Sequence, residues 1–121
     1  VISDFDKIIK GGSAEDRAVQ YLTDNSFEII KRNFHFGKVG EIDIIAKKKH
    51  ILVFVEVRSR FSPLAPDPLY SIKRDKQTKL RRTAEAYLHI NNLHNQECRF
   101  DVIIVEVFDG ITNINHLENA F

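Results

Sequence analysis

Residues 40–58 read GEIDIIAKKKHILVFVEVR, two strand-length segments joined by a lysine-rich turn. The second segment opens on the apolar run Ile51–Val55, which predicts a strand buried in the middle of a sheet. Four charges interrupt the pair: Glu41 and Asp43 in the first segment, Glu56 and Arg58 in the second. An ionised carboxylate in such a strand is costly unless it is paired or bound to a metal. These side chains are therefore the first candidates for chemistry.

Residues two apart on a strand share a face, so Glu41 points with Asp43 and Glu56 with Arg58. The turn decides whether the two pairs meet. A two-residue loop at Lys48-Lys49 sets Asp43 opposite Phe54, and one at Lys49-His50 sets it opposite Glu56. Either brings the four charges to one side of the sheet, whereas a three-residue loop reverses the second segment. Two-residue loops are the commonest hairpin connection, and convergence is the expectation.

Upstream, residues 4–10 suggest a helical turn ending at Gly11-Gly12. Ser13 suits an N-cap with Asp16 as its acidic partner, opening a helix from Ala14 to about Asn25 with Ala18, Val19 and Leu22 on one stripe. Residues 27–34 read as a first strand, Gly37–Gly40 as a turn, 41–47 as a second strand and 51–58 as a third. Residues 61–70, FSPLAPDPLY, hold all three prolines and predict a loop. Ser71 suits the cap of a long helix over 72–91, with Ile72, Leu80, Ala84, Tyr87 and Leu88 at helical spacing. Residues 99–108 predict a strand, and Asp109-Gly110 a tight turn into a last strand near 111–117. The order α-β-β-β-α-β-β predicts an α/β fold with one central mixed sheet flanked by helices.

At 121 residues, 43% hydrophobic and 29% charged, the chain reads as one soluble globular domain over 1–121. A formal net charge of +1 means that any nucleic-acid footprint must come from local clustering. The single cysteine, Cys98, excludes an internal disulfide framework, fits a reducing compartment and predicts a small buried hydrophobe. No run approaches the ~20 apolar residues of a membrane span, and nothing reads as a signal peptide. The expected compartment is the cytoplasm. Methionine is absent, so residues ahead of Val1 are expected. His35, His50, His89, His94 and His116 lack zinc-ligand spacing, and local hydrogen bonding is the expectation for each.

Carboxylates gathered on one face repel one another unless a cation neutralises them. Hard oxygen ligands without clustered histidine or cysteine suit Mg²⁺ or Mn²⁺, the ions of phosphate chemistry. The blander alternative is a surface ion pair of Glu41 with Arg58 and an Asp43 that caps a turn. The helices add charges on core-facing stripes. Glu15 lies four residues before Val19, and Lys76 lies midway between Ile72 and Leu80. Each alone has a structural reading, Glu15 at the helix N-terminus and Lys76 snorkelling. From 73 to 82 the sequence KRDKQTKLRR carries six basic residues and one acid. Such a collar is either a solvated helix face or a grip on a phosphate backbone.

Several segments in order carry a resemblance: AExxAxxYL at 14–22, KRNF at 31–34, GEIDII at 40–45, LVFVEVRSR at 52–60, Lys76-Gln77, CRFDVI at 98–103 and the closing Asn-Ala-Phe. Over essentially the whole chain this pattern resembles the YraN family of small bacterial proteins. That family in turn resembles the restriction-endonuclease-like PD-(D/E)xK nucleases, especially archaeal Holliday-junction resolvases. The resemblance implies a central mixed sheet between helices and a Mg²⁺- or Mn²⁺-dependent endonuclease acting on DNA, branched DNA included. It assigns metal binding to Asp43 and Glu56 with Glu15 completing the site, a further ligand to the Val57 carbonyl, and the motif's lysine position to Arg58. Lys73, Lys76, Gln77, Lys79 and Arg60 would contact nucleic acid, while Glu41 has no settled role. The two-fold symmetry of a junction would suit a homodimer, which no sequence feature shows.

Two positions depart from the pattern. Ala14 stands where glycine usually precedes the helix acid, and Arg58 stands where lysine is often found. Arginine stays protonated, so it cannot take a proton from water, although it can hold a phosphate oxygen. Arg58 therefore keeps a second class open: a nucleic-acid-binding module of nuclease-like shape that cuts only with a partner, or not at all. A third is an interaction scaffold whose acids only form ion pairs.

Overall fold

The computed structural model describes residues 12–121, so the suggested turn over 4–10 lies outside the described residues. Helix α1 spans Gly12–Asp24 and precedes strands β1 (Glu28–Phe36), β2 (Gly40–Lys48) and β3 (Ile51–Arg60). A short 3-10 turn, Pro68–Ser71, leads into α2 (Arg74–Ile90). Strands β4 (Cys98–Phe108) and β5 (Ile111–Leu117) follow.

The strands lie in the order β1-β2-β3-β4-β5, antiparallel throughout except for β3 and β4. Parallel neighbours cannot be joined by a tight turn, and the chain crosses between them through α2. The architecture is the mixed α/β sheet, in the order α-β-β-β-α-β-β, that the sequence predicts.

Each face of the sheet is covered by one helix. Ala14, Ala18 and Leu22 of α1 pack with Ile44, Ala46, Val53, Val55, Ile103 and Val105. On the opposite face, Leu80, Ala84 and Tyr87 of α2 pack with Ile45, Leu52, Phe54, Val102 and Ile104. Burial on both faces is why β3 and β4 read as continuous apolar runs and not as alternating ones. Gly40, at the start of β2, seats α2 against the sheet. A Cβ there would fall 2.6 Å from Thr83 Oγ1 and 3.5 Å from the Lys79 carbonyl oxygen.

Three local expectations change. Helix α1 begins at Gly12, so Ser13 lies inside its first turn and not before it. Ser71 ends the 3-10 turn, donating its hydroxyl to the Pro68 carbonyl at 2.6 Å, while the long helix starts at Arg74. That turn is capped by Asp67, whose carboxylate accepts the Leu69 N–H at 3.0 Å, with Pro68 in the position that needs no donor. Cys98 is exposed and not buried, because it is the first residue of β4, at the end of the sheet. Among the described residues, no helix is long and apolar enough to cross a membrane.

Candidate functional site

The turn between β2 and β3 is Lys49-His50, with Lys48 paired to Ile51 and Ile44 to Val55. Lys49 adopts φ 56°, the left-handed conformation that a two-residue hairpin turn requires. The same register, continued one step, sets Asp43 opposite Glu56. Pairing between the two strands ends there. Beyond it, β2 stays with β1 through Phe36 opposite Gly40, while β3 stays with β4 through Arg60 opposite Glu106. The sheet forks, and Asp43 fills the crotch: its Oδ2 accepts the Val57 N–H at 2.8 Å in place of a ladder bond.

The two carboxyl groups face each other in the fork, near enough for Glu56 to act on Asp43. Burial, then the hydrogen bond and charge of Glu56, push the Asp43 carboxyl up to about 7, against the opposing pull of the Val57 N–H and Lys76. Glu56 is 8% exposed. Its Oε2 has no hydrogen-bond partner, although Lys76 Nζ and Arg58 Nη2 approach it at 3.6 and 3.7 Å. Arg58 Nε is likewise buried and unpartnered. Two hard carboxylates facing each other, one with an unused buried oxygen, have the donor chemistry of a site for Mg²⁺ or Mn²⁺.

The remaining sequence candidates divide. Arg58 and Lys76 join the fork from β3 and α2. Glu15 does not join it. Its Oε1 accepts from Arg32 Nε at 3.2 Å, and Asp16 holds the same guanidinium at 2.7 Å. Among the described residues, no three acidic, histidine or cysteine side chains lie close enough to hold one ion. Glu41 turns to His35 across β1 at 3.7 Å and so does not share the fork with Asp43. Thus the charges expected on one side reduce to Asp43, Glu56 and Arg58. Strand β2 is held to β1 at Glu41, and the fork carries that residue away from β3.

On the basic collar, Lys73 and Lys79 are exposed. Gln77 Nε2 instead donates to the Ile72 carbonyl at 3.1 Å and closes the helix entrance. Arg81 lies over the Phe100 and Phe121 rings at 5.2 and 5.7 Å. Arg60 is spent on the following loop, donating to the carbonyls of Pro63 and Ala65 and to Glu106.

A second acid was missed. Asp101, within the apolar run of β4, is fully buried on the α1 side. Its Oδ1 accepts from Arg99 Nε and the Asn119 N–H, both at 3.0 Å, and its Oδ2 from Arg99 Nη2 at 3.2 Å and His116 Nε2 at 2.7 Å. The other nitrogen of His116 meets the Tyr21 hydroxyl at 3.0 Å, so this histidine serves a long-range network and not a local one. Burial alone would raise the Asp101 carboxyl. Hydrogen bonds from His116, the Asn119 N–H and Arg99 outweigh it and hold the group below the usual carboxylate range. The available signal was the one that exposed Glu56, an acid inside a core strand.

A family model described as "Uncharacterised protein family UPF0102" matches residues 14–105, which include the fork and most of β4. The chain is 40% identical over 116 residues to a UPF0102 protein of Sulfurihydrogenibium sp. (strain YO3AOP1), an alignment covering 96% of each chain. It is 41% identical over 113 residues to a UPF0102 protein of Persephonella marina, covering 93% of each. A UPF0102 protein of Clostridioides difficile is 41% identical over 112 residues, or 93% of this chain and 96% of its own. With a family match over most of its length and relatives that align nearly end to end, this chain belongs to the UPF0102 family.

Proposed function

We propose that the chain is a divalent-metal-dependent endonuclease that hydrolyses phosphodiester bonds in DNA, with branched or otherwise structured DNA as its substrate. One observation carries the reading. Asp43 and Glu56 meet at the fork of the sheet, where Asp43 is pushed up to about 7 and a buried Glu56 oxygen has no hydrogen-bond partner. Strongly perturbed acids beside a charge partner are characteristic of working sites.

Asp43 and Glu56 would hold Mg²⁺ or Mn²⁺, and an ion so bound polarises a phosphoryl oxygen and acidifies water. Arg58 would serve as a fixed donor to a non-bridging phosphate oxygen, not as a base. Lys76 carries its charge at the mouth of the same fork, 3.6 Å from Glu56. Exposed Lys73 and Lys79 extend the cationic surface along α2 and suit a phosphate backbone read without base specificity. The proposed compartment is the cytoplasm.

A second reading is a nucleic-acid-binding module that does not cut unaided. It is favoured by the engagement of Glu15 with Arg32, which leaves two carboxylates at the fork, and by arginine at position 58. A cleavage screen with Mn²⁺ over linear, flapped and four-way DNA separates the two. Metal-dependent products are expected from the wild type, falling at least ~100-fold in Asp43→Ala and Glu56→Ala. DNA bound but uncut by the wild type would favour the module. Equal cleavage by the variants would overturn the site.

A further inference from the structure

The loop between β3 and α2 begins just after Arg58 and Arg60 and ends just before Lys76, so both of its ends lie next to residues that reach the fork. Its tip is Leu64, 94% exposed, the most open of the large apolar side chains among the described residues. A solitary exposed leucine is ordinary on a protein surface. The anchoring of this one is not.

The Arg60 guanidinium reaches along the loop, donating to the Ala65 carbonyl from Nε at 3.1 Å and from Nη2 at 2.8 Å, and to the Pro63 carbonyl at 3.0 Å. Arg60 is itself fixed by Glu106 at 3.1 Å and lies over the Phe108 ring. Ser62 closes the tip, its hydroxyl accepting the Leu64 N–H and its carbonyl the Ala65 N–H, each at 3.1 Å. The sheet thus holds an aliphatic side chain out in water on a braced turn. Bracing lowers the ordering cost of any contact that Leu64 makes.

We propose that Leu64 is a wedge that enters the base stack of DNA bound at the fork, and that this insertion favours branched or distorted DNA over linear duplex. Apolar side chains serve in this way by partly unstacking a base step, and a step that is already open at a branch costs less to enter. The cations at the two ends of the loop, Arg58 on β3 and Lys73 and Lys76 at the start of α2, would complement the flanking phosphates. The inference rests on the nucleic-acid reading above and adds to it a residue that selects the structure of the substrate.

The full-length protein would be tested in Ca²⁺, to limit cleavage, with four-way and linear DNA carrying 2-aminopurine next to the branch or at mid-duplex. Wild type is expected to raise the branch-probe fluorescence. Leu64→Ala should abolish that rise and weaken four-way binding about tenfold, with linear binding unchanged, and Leu64→Phe should retain both signals. Identical signals and affinities for wild type and Leu64→Ala would overturn the wedge while leaving the nucleic-acid reading intact. A wild type that binds neither DNA would overturn both. A change in sedimentation of Leu64→Ala with unaltered DNA binding would overturn the wedge in favour of a protein contact.

Discussion

Asp43 and Asp101 stand on inner strands of one sheet, yet their surroundings push them in opposite directions. Asp101 accepts four hydrogen bonds from three residues and is held below the usual carboxylate range. Asp43 accepts one backbone N–H, faces a second carboxyl and is raised to about 7. Asp101 is fully buried and Asp43 half-buried, yet burial pushes both carboxyls upward. What separates them is how fully their lone pairs are matched by donors. A buried acid with every acceptor filled is a structural tie, here binding β4 to β5, to α1 through Tyr21 and to the C-terminal segment. A buried acid pair short of donors is a place that a cation can occupy.

The largest expected effect comes from breaking the matched acid. Asp101→Ala leaves Arg99, His116 and the Asn119 N–H facing an empty acceptor, and should cost about 3–5 kcal/mol in urea unfolding at neutral pH. A loss under about 1 kcal/mol would show that the Asp101 network is not a structural tie.

The unmatched acid should respond with the opposite sign. Asp43 has a folded pKa above its ordinary 3.8, so the folded state holds its proton after the unfolded chain has released it. The stability it contributes is full below about pH 4 and drains away as pH rises toward about 7. Asp101 behaves in reverse, contributing above the ordinary carboxylate range and losing that contribution on acidification. Asp43→Asn should therefore be more stable than wild type at pH 8 without metal, by about 1–3 kcal/mol, the gain vanishing near pH 4. Unfolding curves across that range check it, and a destabilised variant at pH 8 would contradict the assignment.

The order of elements was legible in the sequence because each strand or helix carries its own period, and the Lys49-His50 turn was one of two that parity allowed. Asp43 and Glu56 were legible for the same reason, as charges set against an apolar run. The placement of Glu15 was not, because its environment depends on Arg32, seventeen residues away on β1. Glu41 was misplaced because alternation along one strand does not reveal where neighbouring strands part. Asp101 was overlooked although it obeys the same rule as Glu56. Nothing local marks its partners His116 and Asn119, or the Tyr21 hydroxyl beyond His116, which only the folded sheet assembles. The bracing of the loop by Arg60, expected only as a contact to DNA, was not legible because it rests on two backbone carbonyls.

The proposed function requires the fork to bind a cation and to be more than a pair of acids stabilised by Arg58 and Lys76 alone. Calorimetric titration of Mn²⁺ at pH 8 into wild type, Asp43→Asn and Glu56→Gln measures that binding. Saturable binding of about one ion per wild-type chain is expected. Both variants should lose this binding while remaining folded, and indistinguishable titrations for the three proteins would contradict a cation site at the fork.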